Sequence, residues 1–230
     1  RALEAGKSVC TSNKALVAKY GPELMEIAKE KKINFLFEAS CGGGIPIIRA
    51  INGSLTADEI DEVSGILNGT TNYMLDKMIT EGADFNTVLK EAQEKGYAEA
   101  DPTADVEGQD ACRKIAILSS LAYGKFLNFE NVYTEGITKI TPEDMEYARE
   151  MGRSIKLLGT SKKLGFLLRT CSTFPCRTGE SSLWRKGSVQ QYFCTWKYAW
   201  RCHVLWKRSW QASYCQCSCS RRCGGCKASS

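Results

Sequence analysis

Ionisable side chains are concentrated between residues 99 and 114, where seven of sixteen positions carry an acidic or basic group. Carboxylates beside an ammonium group can bind charged ligands and transfer protons. On a helix, Asp110 and Lys114 would share one face, because side chains four residues apart are neighbours. Such a pair can also be an ordinary surface ion pair that contributes about 0.3–0.5 kcal/mol. Spacing alone leaves both interpretations open.

The longer segment around this pair is far more distinctive. Residues 92–114 read AQEKGYAEADPTADVEGQDACRK. This string resembles the signature of the homoserine dehydrogenase family, in which a helix of small residues ends at glycine and an aromatic residue follows. Asp-Pro comes next, then Asp-x-x-Gly-x-Asp-x-x-x-Lys. Every position of the pattern is filled, so chance does not explain the resemblance.

Three further segments agree with the same family. Residues 11–14 (TSNK) resemble the strand end that delivers a lysine between cofactor and substrate. Residues 38–46 resemble the glycine-rich link between domains, where a sodium ion sits, and residues 68–73 (NGTTNY) are similar to the turn on the substrate side. The resemblance covers about residues 1–163.

The resemblance implies an NADP- or NAD-dependent oxidoreductase that interconverts L-homoserine and L-aspartate 4-semialdehyde in threonine and methionine biosynthesis. It implies that Lys114 donates the proton to the aldehyde oxygen, and that Lys14 is a second cation near that oxygen and the cofactor. An ammonium group suits this role because it stabilises a developing alkoxide. The residues implied in binding the substrate and orienting Lys114 are Glu99, Asp105, Asp110, Tyr97, Gly69 and Thr70.

The glycine-rich link carries two alternative interpretations. The resemblance implies a sodium ion bound by the side chain of Glu38 and the backbone carbonyls of Cys41, Gly43 and Ile45. Carboxylate and carbonyl oxygens are ligands for hard cations. The alternative is that the three glycines at 42–44 form only a tight turn, since glycine readily adopts positive φ. As a carbonyl donor to sodium, Cys41 need not be a reactive thiol.

The elements that must position these residues begin with a βαβ pattern. We predict a strand over 8–11, a helix over 21–32 with Pro22 in its first turn, and a strand over 34–37. This alternation predicts a parallel sheet with ligands at the carboxyl ends of its strands. The other predicted elements are a strand at 62–67, helices at 69–78, 85–96 and 104–122, a strand at 132–137 and a helix that Thr141 caps.

These elements predict an α/β fold. We expect residues 1–38 to be the C-terminal remnant of a Rossmann NAD(P)-binding domain and residues 39–163 to be an incomplete catalytic domain with a mixed sheet. The chain begins at Arg1 without methionine, and the fingerprint Gly-x-Gly-x-x-Gly is expected upstream. The sequence therefore does not discriminate NAD from NADP. The family resemblance also implies a homodimer.

Composition changes abruptly near residue 164. Residues 164–230 contain all five tryptophans, nine of the twelve cysteines, and eleven basic residues against the single acid Glu180. Residues 1–163 contain 20 basic and 25 acidic residues, three scattered cysteines and no apolar run of about 18 residues. The first part is therefore predicted to be a reduced, cytoplasmic protein without a membrane partner. The family resemblance implies a small amino-acid substrate and no nucleic-acid partner.

The tail over 164–230 is predicted to be unlike the family and largely disordered, and we interpret it as the product of a frameshift. Tryptophan has one codon, UGG, and a reading frame shifted by one nucleotide turns it into a glycine codon. Residues 196–212 then permit a glycine-rich segment that resembles the C-terminal segment of the family. The competing interpretation is a zinc- or nucleic-acid-binding module, built on Cys215, Cys217, Cys219, Cys223 and Cys226.

Overall fold

The computed structural model describes residues 1–55 and 59–163, together with the backbone of four strands beyond residue 170. The helices are α1 (Lys14–Glu30), α2 (Ile47–Arg49), α3 (Gly69–Glu81), α4 (Phe85–Glu94), α5 (Thr103–Val106), α6 (Gln109–Tyr123) and α7 (Pro142–Glu150). The strands are β1 (Val9–Cys10), β2 (Phe35–Leu36), β3 (Ile60–Ile66), β4 (Arg153–Lys162), β5 (Cys171–Arg177), β6 (Val189–Trp196), β7 (Arg201–Lys207) and β8 (Cys215–Cys219).

The N-terminal unit is the βαβ arrangement that the sequence predicts. Strands β1 and β2 are parallel, with Val9 opposite Phe35, and α1 connects them. The predicted start of α1 is wrong, because the helix begins at Lys14 and Pro22 lies inside it. Asn13 caps the helix by accepting a hydrogen bond from the Leu16 amide at 3.0 Å. This cap stabilises the first turn of the helix.

The larger sheet has six strands in the order β5-β4-β3-β6-β7-β8. Each described pairing in this sheet is antiparallel. The predicted α/β class is confirmed. The described parallel pairing joins β1 and β2 in a separate two-stranded sheet, and does not occur within the six-stranded sheet. Consecutive strands such as β4 and β5 are joined by a connection too short for a crossover, so they pair antiparallel.

Helix α6 lies at the centre of the core and packs against α1, β3 and β4. Its residues Ala111, Ile115 and Leu118 are fully buried. Val17 and Phe37 of the N-terminal unit belong to the same hydrophobic cluster. Burial of these side chains fixes the direction of α6 relative to α1. The boundary between residues 38 and 39 stays a prediction.

Two predicted elements differ in the structure. The helix expected over 104–122 is divided into α5 and α6, because Gly108 has a φ of +80° and lies between them. The strand expected over 132–137 does not form; the Ile137 amide instead donates to the Val106 carbonyl at 2.8 Å. Strand β4 is absent from the predicted elements.

Three helix starts follow the capping chemistry of their sequences. Asn68 and Asp84 cap α3 and α4 with their side chains. Thr141 and Asp144 form a capping box at α7, as the predicted helix start required. Within the part of the chain that the structure describes, none of the helices has the length and apolar character needed to cross a membrane.

The backbone of β5 to β8 is described beyond residue 170, although we predicted disorder for the tail. Disorder elsewhere in the tail is a prediction that lies outside the described residues. The same holds for the zinc- or nucleic-acid-binding module, because the cysteine side chains from 215 to 226 are not among those described. The frameshift concerns the nucleotide sequence and stays a prediction.

Candidate active site

Asp110 and Lys114 form a buried ion pair in the first turns of α6. The Lys114 Nζ donates to Asp110 Oδ2 at 2.7 Å and to the Leu67 carbonyl at 2.8 Å. The exposed fraction is 1% for Asp110 and 7% for Lys114. The alternative of a solvated surface pair is therefore wrong. A carboxylate in the first turn is also stabilised by the helix dipole.

Lys14 brings a second ammonium group to the same carboxylate from the N-terminal unit. It is the first residue of α1, which follows the carboxyl end of β1. Its Nζ forms an ion pair with Asp110 Oδ1. The two oxygens of Asp110 thus each pair with one lysine, one from each side of the site. This is the pair of cations that the sequence predicts.

Asn68 is a site residue that sequence reasoning missed. Its Nδ2 donates to Asp105 Oδ1 at 2.7 Å and to Asp110 Oδ2 at 2.8 Å. Its Oδ1 accepts from the Thr71 amide at 2.9 Å, which caps α3. Asparagine directly before a helix is a signal for an N-cap, but a cap predicts no contact with carboxylates distant in sequence. The structure joins the start of α3 to α5 and α6.

The two carboxylates held by Asn68 have pKa values shifted in opposite directions. Burial raises the pKa of Asp105, and its hydrogen bond from Asn68 opposes this only in part. Burial would also raise the pKa of Asp110, but the charges and hydrogen bonds of Lys114 and Lys14 outweigh it and lower that pKa. Asp110 is therefore the stable anion of the site, and Asp105 is easier to protonate than an ordinary aspartate.

The remaining predicted substrate residues lie at the start of α3 and in the loop after α4. Thr70 Oγ1 donates to the Tyr97 carbonyl at 2.7 Å, and Gly69 is the buried first residue of α3. The Tyr97 ring lies 4.8 Å from that of Tyr73, between ring centroids.

Glu99 lies in the same loop with an exposed side chain. The Gln93 side chain donates to its carbonyl at 3.1 Å. The loop that carries Tyr97 and Glu99 is therefore held against α3 and α4 by both polar and ring contacts.

The residues predicted to bind sodium lie in a turn before α2. Glu38 accepts hydrogen bonds from the Ile48 and Arg49 amides, both at 2.9 Å. Gly42 and Gly43 have φ values of +78° and +62°, so the backbone turns sharply here; the choice between a turn alone and a turn that binds sodium stays a prediction. Within residues 1–55 and 59–163, no three His, Cys, Asp or Glu side chains are grouped as metal ligands. A cation at this turn would therefore depend on carbonyl oxygens.

Cys41 is fully buried in this turn. Its thiol lies 3.8 Å from the Lys114 carbonyl. Burial raises the pKa of Cys41 to about 12. The thiol is therefore unreactive at neutral pH, as the sequence led us to expect.

Comparison with known proteins agrees with this geometry. The sequence profile of the family described as Homoserine dehydrogenase matches residues 46–191, which extends past the change in composition at residue 164. The homoserine dehydrogenase of Neisseria gonorrhoeae is 49% identical over 165 residues, which are 72% of this chain and 38% of that protein. The chain therefore spans well under half the length of this relative.

Two solved structures show the same fold. A homoserine dehydrogenase from Thiobacillus denitrificans has a TM-score of 0.84 and 43% identity, covering 88% of this chain and 47% of that one. A hyperthermophilic archaeal homoserine dehydrogenase in complex with NADPH has a TM-score of 0.75 and 29% identity, covering 89% of this chain and 59% of that one. With the profile match over more than half of its residues, this chain belongs to the homoserine dehydrogenase family.

Proposed function

We propose that this chain carries the substrate half of a homoserine dehydrogenase, which interconverts L-homoserine and L-aspartate 4-semialdehyde with a nicotinamide cofactor. The observation that carries the proposal is the buried Lys114 ammonium, held by Asp110 and by the Leu67 carbonyl. Two of its three N–H donors are used by these oxygens. The third has no hydrogen-bond partner among the described residues and is available for a substrate oxygen.

In the direction of reduction, the substrate is an aldehyde that also bears an ammonium and a carboxylate group. Glu99, Asp105 and Asp110 supply negative charge for its ammonium group, while the amides of Gly69 and Thr70 at the start of α3 suit its carboxylate. Because Asp105 is partly buried and close to Asp110, a bound ammonium group would stabilise both anions. Tyr97, whose carbonyl accepts from Thr70 Oγ1, is proposed to line the outer side of this site.

The cofactor, when bound, supplies the hydride that reaches the aldehyde carbon. As the carbonyl oxygen gains negative charge, Lys114 stabilises it and transfers one proton to it, which gives the alcohol. Lys14 lies at the start of α1 and provides a second cation beside Asp110. In the reverse direction, the neutral amine of Lys114 accepts the hydroxyl proton and becomes the ammonium again. NADP or NAD is the proposed cofactor, and the archaeal relative with NADPH supports this class.

The proposal is tested by binding and by turnover. Calorimetry on the chain compares L-homoserine with L-2-aminobutyrate, which lacks the hydroxyl group. We expect homoserine to bind more tightly, and Lys114→Met to remove most of that difference. Turnover is measured on the full-length gene product as homoserine-dependent reduction of NADP. Equal affinity for both ligands together with absence of turnover would refute the proposal.

We also propose that the turn at 38–46 binds sodium through Glu38 and the carbonyls of Cys41, Gly43 and Ile45. The donor set suits a hard cation, because each Glu38 oxygen accepts one amide hydrogen bond and keeps a second lone pair. The Ile45 carbonyl likewise accepts one hydrogen bond, from Ile47. Thermal unfolding in NaCl and in choline chloride at equal ionic strength tests this. An unchanged Tm would exclude the site.

The assembly and location complete the proposal. We propose a homodimer, which sedimentation equilibrium tests directly; a monomer at micromolar concentration would contradict it.

We propose a cytoplasmic location, supported by the free thiols of the three described cysteines, Cys10, Cys41 and Cys112. Free thiols are typical of reducing compartments. Fractionation of cells that express the full gene would test the location.

A further inference from the structure

We infer that Asn68 is a positioning residue of this site, whose side-chain amide holds Asp105 and Asp110 in the geometry that binds the substrate and orients Lys114. The inference rests on the proposed function, because it assigns a role within the same site. It adds a residue that lies outside the set predicted from the sequence.

Every hydrogen-bonding group of the Asn68 side chain is used. The two Nδ2 hydrogens go to Asp105 Oδ1 and Asp110 Oδ2, at 2.7 Å and 2.8 Å. The Oδ1 accepts from the Thr71 amide at 2.9 Å and from the Thr71 hydroxyl at 3.1 Å. An amide has two donors and two lone pairs, so its capacity is filled. The orientation of this amide is therefore fixed by its contacts.

Asp110 Oδ2 is the point where this amide meets the catalytic lysine. That oxygen accepts from Asn68 Nδ2 and also from Lys114 Nζ, at 2.7 Å. Rotation of the Asp110 carboxylate would break both contacts at once. Asn68 thus fixes the orientation of the Asp110 carboxylate, and this carboxylate in turn orients the Lys114 ammonium group.

The same amide also connects two parts of the substrate site. Asn68 precedes Gly69 and Thr70, the turn that is proposed to receive the substrate carboxylate. Its Nδ2 reaches Asp105 at the end of α5, which is proposed to receive the substrate ammonium. One side chain therefore sets the spacing between the groups that bind the two ends of an amino acid.

Asparagine is the residue type that this position requires. Serine would cap α3 but would give no pair of N–H donors. Aspartate would also cap α3, but would place a third carboxylate against Asp105 and Asp110. Both substitutions keep the structural function of the residue and remove the proposed positioning function. This separation makes the inference testable.

The first experiment measures the titration of Asp105 by carboxyl NMR in the chain and in Asn68→Ser and Asn68→Asp. The charged groups that face Asp105 are Asp110, Lys14 and Lys114. Since the Asn68 hydrogen bond favours the ionised form, its loss should raise the pKa of Asp105 in N68S, and N68D should raise it further. Asp84→Ser, which alters only the cap of α4, should leave the titration unchanged.

A second measurement requires no substitution. In the unaltered chain, the side-chain amide resonance of Asn68 should shift with the same apparent pKa as the Asp105 carboxyl group. If the amide does not follow that titration, or if N68S folds with an unchanged Asp105 titration, the inference is overturned. This second measurement decides the question if both variants fail to fold.

Kinetics of the full-length enzyme separate positioning from stability. We expect N68S to raise KM for homoserine on the order of tenfold, as loss of hydrogen bonds to charged groups predicts, and to move the acidic limb of kcat/KM to higher pH. A purely structural role would lower the amount of folded enzyme and leave both unchanged. Failure of the proposed function would appear differently, as absence of turnover in the unaltered enzyme.

Discussion

Two regions of the molecule each contribute one lysine to the Asp110 carboxylate, and the two lysines differ in how far they are buried. Helix α6 supplies Lys114, whose side chain is 9% exposed and which pairs with Asp110 four residues earlier. The N-terminal unit supplies Lys14, whose side chain is 42% exposed. Lys114 also donates to the Leu67 carbonyl. Lys14 is instead the first residue of α1, and the residue before it, Asn13, is exposed.

This difference in burial indicates which side of the site is held in a fixed geometry before a ligand binds. Charges interact more strongly where water is excluded, and an exposed ion pair is weakened by solvent and salt. The substrate side, built on α3, α5 and α6, is therefore fixed by buried hydrogen bonds within this chain. The side contributed by the N-terminal unit depends on one long, half-exposed side chain. The two lysines should differ in their contribution to catalysis and in their sensitivity to salt.

The strongest test of this comparison is Lys114→Met, which keeps the length of the side chain and removes its charge. We expect kcat of the full-length enzyme to fall by about 10²–10⁴, the usual contribution of a general acid. The reason is that the alkoxide loses both its proton donor and its nearest buried cation. Homoserine-dependent NADP reduction measures the effect.

Lys139→Met provides the matched control for this substitution. Lys139 is exposed in the structure, so the loss of its charge should leave kcat unchanged. Rates within threefold of each other for K114M and the unaltered enzyme would remove Lys114 from the mechanism.

A second test addresses how closely the region around α5 and α6 is packed. A Cβ added at Gly136 would overlap the Val106 carbonyl and lie 2.5 Å from Glu107 Cα. Both neighbours are backbone next to the start of α6, so they cannot move without displacing the site. Gly136→Ala should lower the free energy of unfolding by about 1–3 kcal/mol, as overpacking does. Urea denaturation measures it.

Gly53→Ala is the control for that variant, since a Cβ at Gly53 meets no atom of the described residues within 4 Å. Its φ lies outside the left-handed region, so alanine adds no strain there. We expect a change close to zero or a small gain in stability. Equal losses for G136A and G53A would contradict the close packing of this region.

The third test is Lys14→Met, for which a smaller effect is expected. Because this ion pair is partly exposed, its removal should reduce kcat/KM by about tenfold, the equivalent of 1.4 kcal/mol. Raising the salt concentration should weaken catalysis in the unaltered enzyme more than in K14M. Parallel salt dependence in the two proteins would show that Lys14 contributes nothing electrostatic.

The sequence predicted the site better than it predicted the elements around it. Asp110 and Lys114 are paired because the signature over residues 92–114 sets their spacing, and Lys14 was identified from a separate segment, residues 11–14, that resembles the same family. Asn68 was missed because its contacts join residues 37 and 42 positions apart, and no local pattern reports such contacts. The local signals at Asn68, its place as a helix cap and its position in the NGTTNY turn, do not report those contacts.

The errors in the elements also have physical causes. Pro22 resembled a helix start, but the cap at Asn13 begins α1 earlier. Strand β4 was missed because buried positions on it are occupied by Ser154, Lys156 and Ser161, so apolar residues do not alternate along it. The first case is decided by a local cap, and the second by tertiary burial, which cannot be read from a single sequence.

The last comparison separates the two carboxylates that Asn68 joins. The pKa of Asp105 is raised, so the folded protein binds the Asp105 proton more tightly than the unfolded chain does. The free energy of unfolding therefore falls as the pH rises from the ordinary aspartate pKa through the raised one. Asp110 has a lowered pKa, so its contribution is present above the ordinary aspartate pKa of about 3.9 and is lost as pH falls below it.

Asp105→Asn and Asp110→Asn should therefore change stability in opposite directions at neutral pH. Asp105→Asn removes a buried carboxylate that is costly to ionise, so it should raise the free energy of unfolding, by about 1 kcal/mol or less. Asp110→Asn leaves Lys114 buried without its anion and should lower it. Urea denaturation across the acidic range measures both. A common direction of change would mean that the two carboxylates share one environment, and that the lysines do not distinguish them.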